Sequence, residues 1–221
     1  LQPVWMMNPL PVSEFLPCDE AIFDVVIFDE SSQIPLVDAI PAIYRADQVV
    51  VVGDSKQMPP SSFFTSKDEI KTLLDQAEQT FSNTMLKWHY RSKHPDLIRF
   101  SNAEFYQNEL ITFPPQTAEE PIELNLVEGN YQSGKNPKEA KELVDHCVKL
   151  IKSGKKFILI IAFSKEQEQE IGKGLKKHGL LDEPLITLRN LENAQGIESD
   201  IVLVSIGYGV NESGDFRLNF G

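Results

Sequence analysis

The sequence predicts an α/β fold built on parallel strands, and three observations predict it. Short runs rich in valine and isoleucine recur along the 221 residues. Stretches with helical apolar spacing separate these runs, and strands that alternate with helices imply a parallel sheet. The first two runs both stop at polar clusters, DESSQ over residues 29–33 and GDSKQ over 53–57. Parallel strands that end in polar groups place those groups together at one carboxyl edge, where open α/β sheets bind ligands.

Each element follows in order. FDVVIF (23–28) and QVVVVG (48–53) read as strands buried on both faces, being continuous and β-branched. Between them IPLVDAIPAIYRA has helical spacing, with Pro35 and Pro41 complicating its ends. The polar stretch 67–80 permits a helix, and 65–82 is the expected linker. TMLKWHY then reads as a strand, HPDLIRFSNAEFY as a helix and IELNLVE as a strand. A helix over 137–152, the strand FILIIAF, a helix over 164–178, and the strands LITLRN and DIVLVSIGYG complete the series. There is no internal repeat and no low-complexity segment.

Composition narrows the classes of function. The net charge of −12 argues against a protein that coats nucleic acid generally, though a local strand-binding groove is compatible with it. No apolar run approaches the ~20 residues of a membrane span. The chain begins at Leu1 without a targeting pattern, so an excised piece of a longer protein is expected. Cys18 and Cys147 form no CxxC pair, which fits buried thiols in a reducing cytoplasmic setting. His89, His94, His146 and His178 lack the spacing of a zinc site. Ser31 and Ser32 have no histidine placed for a triad, and capping or support of neighbouring groups is expected of them. Trp5 and Trp88 could stack on bases, although packing is the default for both.

Taken alone, Asp29-Glu30 could be a strand that reaches solvent, and Gly53-Asp54 a turn halted by prolines. Together they match what nucleoside triphosphate hydrolysis needs. One carboxylate holds Mg²⁺ through oxygen ligands and its water shell. A second activates the attacking water, and a neutral amide touches the γ-phosphate without competing for the metal. Asp29, Glu30 and Gln57 supply these groups in that order.

DESSQ followed by GDSKQMPP resembles the second and third motifs of superfamily 1 helicases, nearest to the branch of senataxin and the helicases of nonsense-mediated decay. LKWHYRSKHPDLIRFSNAEFY (86–106) is similar to the fourth motif of that branch, and LENAQGIESDIVLVSIGYG (191–209) to the fifth. VWMMNPLPVSEFLP (4–17) resembles the segment before the second motif in large bacterial members.

The resemblance implies a RecA-like P-loop NTPase fold, with residues 1–82 from the first motor domain and 83–221 from the second. It implies that Asp29 organises Mg²⁺, Glu30 activates water and Gln57 senses the γ-phosphate of ATP. It places Tyr90 near the base and makes Arg91 an arginine finger, a role that suits an always-charged fork. Gly196 would let backbone approach the γ-phosphate, Glu198 would bond the ribose, and Ser101 and Asn102 would lie near the bound strand. Outside such motifs Tyr90 would read as a core aromatic, Arg91 as a surface ion pair, and Gly196 and Glu198 as a turn and a solvated acid.

GNYQSGKN (129–136) nearly fits the phosphate-binding pattern GxxxxGK[ST]. It is expected instead to be a polar loop entering a helix. Asn136 offers no hydroxyl to a metal, the segment follows the acid pair instead of preceding it, and FILIIAF ends without an acid. The phosphate loop is therefore expected upstream of Leu1. The sixth motif is expected beyond FRLNFG (216–221), because it normally follows an RLN element. The leading function is a piece of an ATP-dependent helicase or translocase acting on single-stranded DNA or RNA, inactive as this piece alone. The alternative is a non-catalytic helicase-like binding module or scaffold. No membrane association is implied, and the sequence leaves the oligomeric state open.

Overall fold

The computed structural model describes residues 4–18, 21–57, 71–115, 120–154, 157–211 and 213–216. It is a mixed α/β structure in which the strand pairs of every sheet run parallel. Two compact units divide at Ile122 and Glu123.

In the first unit, helix α1 (Pro9–Phe15) precedes strand β1 (Phe23–Phe28). Helix α2 (Leu36–Ile43) connects to strand β2 (Ala46–Val51), which pairs with β1 from Phe23↔Ala46 to Phe28↔Val51. The aligned ends put the two polar clusters at the same edge. Phe28, Val12, Ala39, Ala42 and Leu73 form the core between the strands and their helices. Burial on both faces fails here: Ile27 is 67% exposed, and Val25 and Val50 are exposed as well. In these two strands the helices cover one face only.

Arg45, just before β2, is buried, and among the described residues it has no carboxylate partner. Its guanidinium donates to the carbonyls of Leu16 (2.8 Å), Pro17 (2.8 Å) and Pro41 (2.6 Å). Carbonyls at the ends of α1 and within the last turns of α2 lack helical partners and carry partial negative charge, which suits a fork of donors.

The expected linker is partly helix. Residues 58–70 lie outside the described set, but α3 (Leu73–Thr80) is docked through Leu73, Leu74 and Ala77. Thr72 and Asp75 close a reciprocal capping box at its start. The strand expected over 84–90 shrinks to β3 (Trp88–His89), paired with β4 (Ile111–Thr112) across α4 (Asp96–Phe105). This β3–α4–β4 group lies in the first compact unit. The hydroxyl of Tyr106, at the end of α4, reaches back 52 residues to Asp54.

In the second unit, α5 (Pro137–Lys152) and α6 (Lys165–Lys177) match the expected helices. Asn136 and Ser164 cap them, accepting from the amides of Glu139 and Gln167. The sheet order is β6 (Ile186–Asn190), β5 (Ile158–Ala162), β7 (Ile201–Ser205), all parallel. The central strand β5 is the one buried on both faces, as its unbroken apolar run requires. The strand expected over 122–128 is absent. Ile122, Leu124 and Leu126 alternate correctly for a strand but stand 60–88% exposed, and among the described residues no strand pairs with their backbone.

Cys147 is buried in the core of this unit, where burial pushes its thiol up to about 11. Cys18 is exposed, contrary to the expectation of two buried thiols. Both tryptophans are partly exposed. Trp5 packs edge-on against Phe23 at 6.4 Å, and Trp88 lies tilted against Phe113 at 5.7 Å. Among the described residues, no helix is long and apolar enough to cross a membrane.

Candidate nucleotide site

The acid pair leaves β1 at its carboxyl end, and the backbone turns sharply there. Glu30 adopts a left-handed conformation (φ 51°, ψ 40°), which costs a non-glycine residue about 1 kcal/mol or more. Its amide donates to the Asp29 carboxylate at 2.9 Å. Immediately after it, Ser31 starts a 3₁₀ turn over Ser31–Gln33 and is fully buried. The Ser31 amide and hydroxyl both donate to the Val52 carbonyl, at 3.0 and 2.7 Å. The acid loop is thereby fastened to the loop after β2. A Cβ on Gly53 would stand 2.5 Å from the Ser31 hydroxyl, so the closeness of the two loops requires glycine. Ser32 is buried beside it, its hydroxyl without a partner among the described residues.

Asp54 shapes the second loop. Its carboxylate accepts the Lys56 amide at 2.9 Å, closing a turn typical of Asp, and its carbonyl accepts the Gln57 amide at 3.2 Å. Tyr106 donates to the same carboxylate at 2.5 Å, and the Gln57 side chain approaches it at 3.4 Å. Burial first, then the neighbouring Asp54, pushes the Tyr106 phenol up to about 12, so it remains a donor at every physiological pH. Asp29 and Glu30 after β1 and Gln57 after β2 are all exposed at one sheet edge.

The HYRS stretch folds over His89. The ring Nε2 accepts the Ser92 amide at 3.3 Å and pairs with the Ser92 hydroxyl at 2.7 Å. Accepting at Nε2 requires the neutral ring with its proton on Nδ1. Burial, and then the charge of Arg91, lower the His89 pKa in the same sense. Tyr90 (83% exposed) and Arg91 lie on the outside of this turn, so Tyr90 is no core aromatic.

On α4, Ser101 and Asn102 are both half-buried, and Asn102 also has a local partner. Its amide nitrogen donates to the Leu110 carbonyl (3.1 Å) and its oxygen accepts the Leu110 amide (3.0 Å). Both ends of the side chain thus help to hold the α4–β4 loop.

In the second unit, Asn190 at the end of β6 accepts the Asn193 amide at 3.0 Å and opens a 3₁₀ turn over Glu192–Ala194. Gly196 follows with φ 75° and open space where a Cβ would lie. A positive φ at this position favours glycine. Glu198 is exposed just beyond it.

The GNYQSGKN segment is a tight loop, with Gln132 bridged to Lys135 and Ser133 and Gly134 both at positive φ. Lys135, which would reach phosphates in a phosphate loop, is paired with Glu170 at 2.6 Å. Asn136 is buried, its amide donating to Gln167, whose side chain continues to Ser205. The Ser205 hydroxyl donates to Glu139, which also accepts the Gly207 amide. Asn136 thus fastens the start of α5 to α6 and β7. A cavity of about 450 Å³ beside this loop, lined by Glu128, Gln132, Lys135 and Lys138 among others, contains none of the residues expected at the nucleotide.

Sequence reasoning missed Arg45, Asp54 and Tyr106. The Asp-x-Lys-Gln spacing after Gly53 was a legible turn signal for Asp54. Nothing local signals the other two.

Comparison with known proteins agrees with the motifs. Residues 118–214 match the family model described as "AAA domain". The chain is 31% identical to "Uncharacterized ATP-dependent helicase MG140" of Mycoplasma genitalium, over 99% of this chain and 24% of that protein. The homologous helicase of Mycoplasma pneumoniae gives 30%, with the same coverage. "Helicase SEN1" of Saccharomyces cerevisiae is 28% identical over 83% of this chain and 10% of its own length. The chain spans about a quarter of the length of the first two relatives. These matches support a fragment of a superfamily 1 helicase of the senataxin-like type, with a fold consistent with a RecA-like P-loop domain.

Proposed function

We propose that this chain forms part of an ATP-driven motor that moves along single-stranded DNA or RNA. The observation that carries the proposal is the pinned pair of loops, Asp29-Glu30 held to Gly53-Asp54 through Ser31 and Val52 at the carboxyl edge of a parallel pair. A strained, fixed acid pair is what positioning a metal and a water calls for. The relatives named as ATP-dependent helicases support ATP as the nucleotide.

In this proposal Asp29 helps to hold Mg²⁺. Among the described residues, no group of three or more His, Cys, Asp or Glu could hold a metal by itself. That suits Mg²⁺ in a triphosphatase, which is bound through one or two carboxylates plus substrate phosphates and water. Bound there, the ion would supply charge neutralisation on the phosphates. Glu30 takes the proton of the attacking water, and Gln57 reports the γ-phosphate. Arg91 stabilises charge on the transferring phosphoryl group, and Tyr90 lies against the base. Gly196 is assigned to the γ-phosphate and Glu198 to the ribose, and the second motor domain in this proposal starts at residue 83. Ser101 and Asn102 lie toward the strand. Because these 221 residues contain no GxxxxGK[ST] loop, the chain alone is proposed to turn over ATP negligibly.

The test is Glu30→Gln in the full-length protein. ATP binding should remain nearly intact while hydrolysis falls by about two orders of magnitude or more. Unchanged hydrolysis would remove Glu30 from the mechanism and favour a non-catalytic, helicase-like scaffold.

A further inference from the structure

We propose that Tyr106 is a positioning residue for Gln57, acting through Asp54; this inference rests on the nucleotide-site reading above. Gln57 is exposed on a short loop, and a long side chain on such a loop holds a useful geometry only if the loop backbone is fixed. Asp54 does the fixing. It accepts the Lys56 amide on one carboxylate oxygen, and on the other it takes the Tyr106 hydroxyl and the more distant Gln57 amide nitrogen. The carboxylate can close the 54–57 turn only while its own rotamer is held. The one long-range bond described on it comes from Tyr106, 52 residues away at the end of α4.

The bond is short because a phenol donates to a charged carboxylate, which makes it stronger than a neutral pair. The elevated phenol pKa keeps the donor present throughout the working pH range. Tyr106 also terminates α4, the helix entered from the HYRS turn that carries Arg91. A movement of α4 would therefore reach Gln57 through two hydrogen bonds, linking the finger-bearing segment to the γ-phosphate sensor. A purely architectural role for Tyr106 would give stability to α4 but no connection to Gln57 function.

The experiment is a double-mutant cycle on nucleic-acid-stimulated ATPase of the full-length protein, using Tyr106→Phe and Gln57→Ala. Tyr106→Phe removes one oxygen and keeps the ring, so packing is retained. It should lower kcat about tenfold with the ATP KM changed by less than about twofold. In the Gln57→Ala background the same change should have no further effect, because its route to the chemistry is gone. Asp54→Asn cuts the same link from the other side and should show the same non-additivity, which covers the case in which Tyr106→Phe folds poorly. Additive losses, or full kcat in Tyr106→Phe while Gln57→Ala is crippled, would overturn the inference alone. A Gln57→Ala protein with undiminished kcat would overturn the nucleotide-site reading and this inference with it.

Discussion

Ser31 donates twice to one acceptor: its amide and its hydroxyl both meet the carbonyl of Val52. This single carbonyl ties the loop that bears Asp29 and Glu30 to the loop that bears Gln57. Gly53 lies directly under the hydroxyl.

Gly53→Ala should therefore destabilise the fold by about 1–3 kcal/mol, the usual range for overpacking a tight contact. The added methyl would meet the Ser31 hydroxyl, the Ser31 amide and Leu74. Adding Ser31→Ala removes the closest clash and should return part of the loss, although the hydroxyl bond to Val52 goes with it. Thermal unfolding of the two single variants and the double variant measures this. If Gly53→Ala is as stable as wild type, the two loops are not in contact as described.

Arg45 gives a second prediction. Arg45→Lys keeps the charge but replaces a three-way fork with one ammonium, and should cost about 2–4 kcal/mol because buried carbonyls lose their donors. Denaturant midpoints would record the loss. A change under about half a kcal/mol, the level of an ordinary surface substitution, would contradict the described fork.

The His89 turn predicts a pH dependence. Its folded pKa is depressed below the ordinary value of 6.5 by burial and then by Arg91. Above that value both the folded and unfolded states hold a neutral ring, and the contribution of the turn is fully present. As the pH falls beneath it, the unfolded state takes up its proton first, so stability declines through the folded pKa. His89→Asn should flatten this part of the stability profile, on the acid side of pH 6.5. Parallel wild-type and mutant profiles would show that the ring is not held neutral by the fold.

Much of the second unit was legible in the sequence because its signals are local. Pro137 after Asn136, and Ser164 ahead of an amphipathic run, mark helix starts by chemistry that acts within four residues. FILIIAF is apolar without interruption, and only a central strand needs that. The stretch 122–128 shows the limit of such reasoning: alternation is necessary for a half-buried strand but does not provide the neighbour that pairs with it. In the first unit the β1 and β2 runs were recognised as strands, yet their two-sided burial was not met. An apolar run does not reveal how many faces are covered.

The candidate site divides along the same line. Asp29, Glu30 and Gln57 were visible as motif residues following two adjacent strands. The bonds that hold them were not, because Ser31–Val52 and Asp54–Tyr106 join residues 21 and 52 apart. Asn102 falls within a recognised motif, and its bonds to Leu110 were likewise not legible in the sequence.

The most direct test of the account is steady-state ATP hydrolysis by the full-length protein with saturating single-stranded nucleic acid, comparing wild type with Arg91→Ala. If Arg91 is the finger, removing it leaves charge on the transferring phosphoryl group uncompensated, and turnover should fall on the order of a thousandfold. If Arg91 were only a surface ion pair, its loss would cost at most about 1 kcal/mol of stability and leave catalysis alone. An Arg91→Ala protein that keeps more than about half of wild-type turnover, against that thousandfold expectation, contradicts the proposed site.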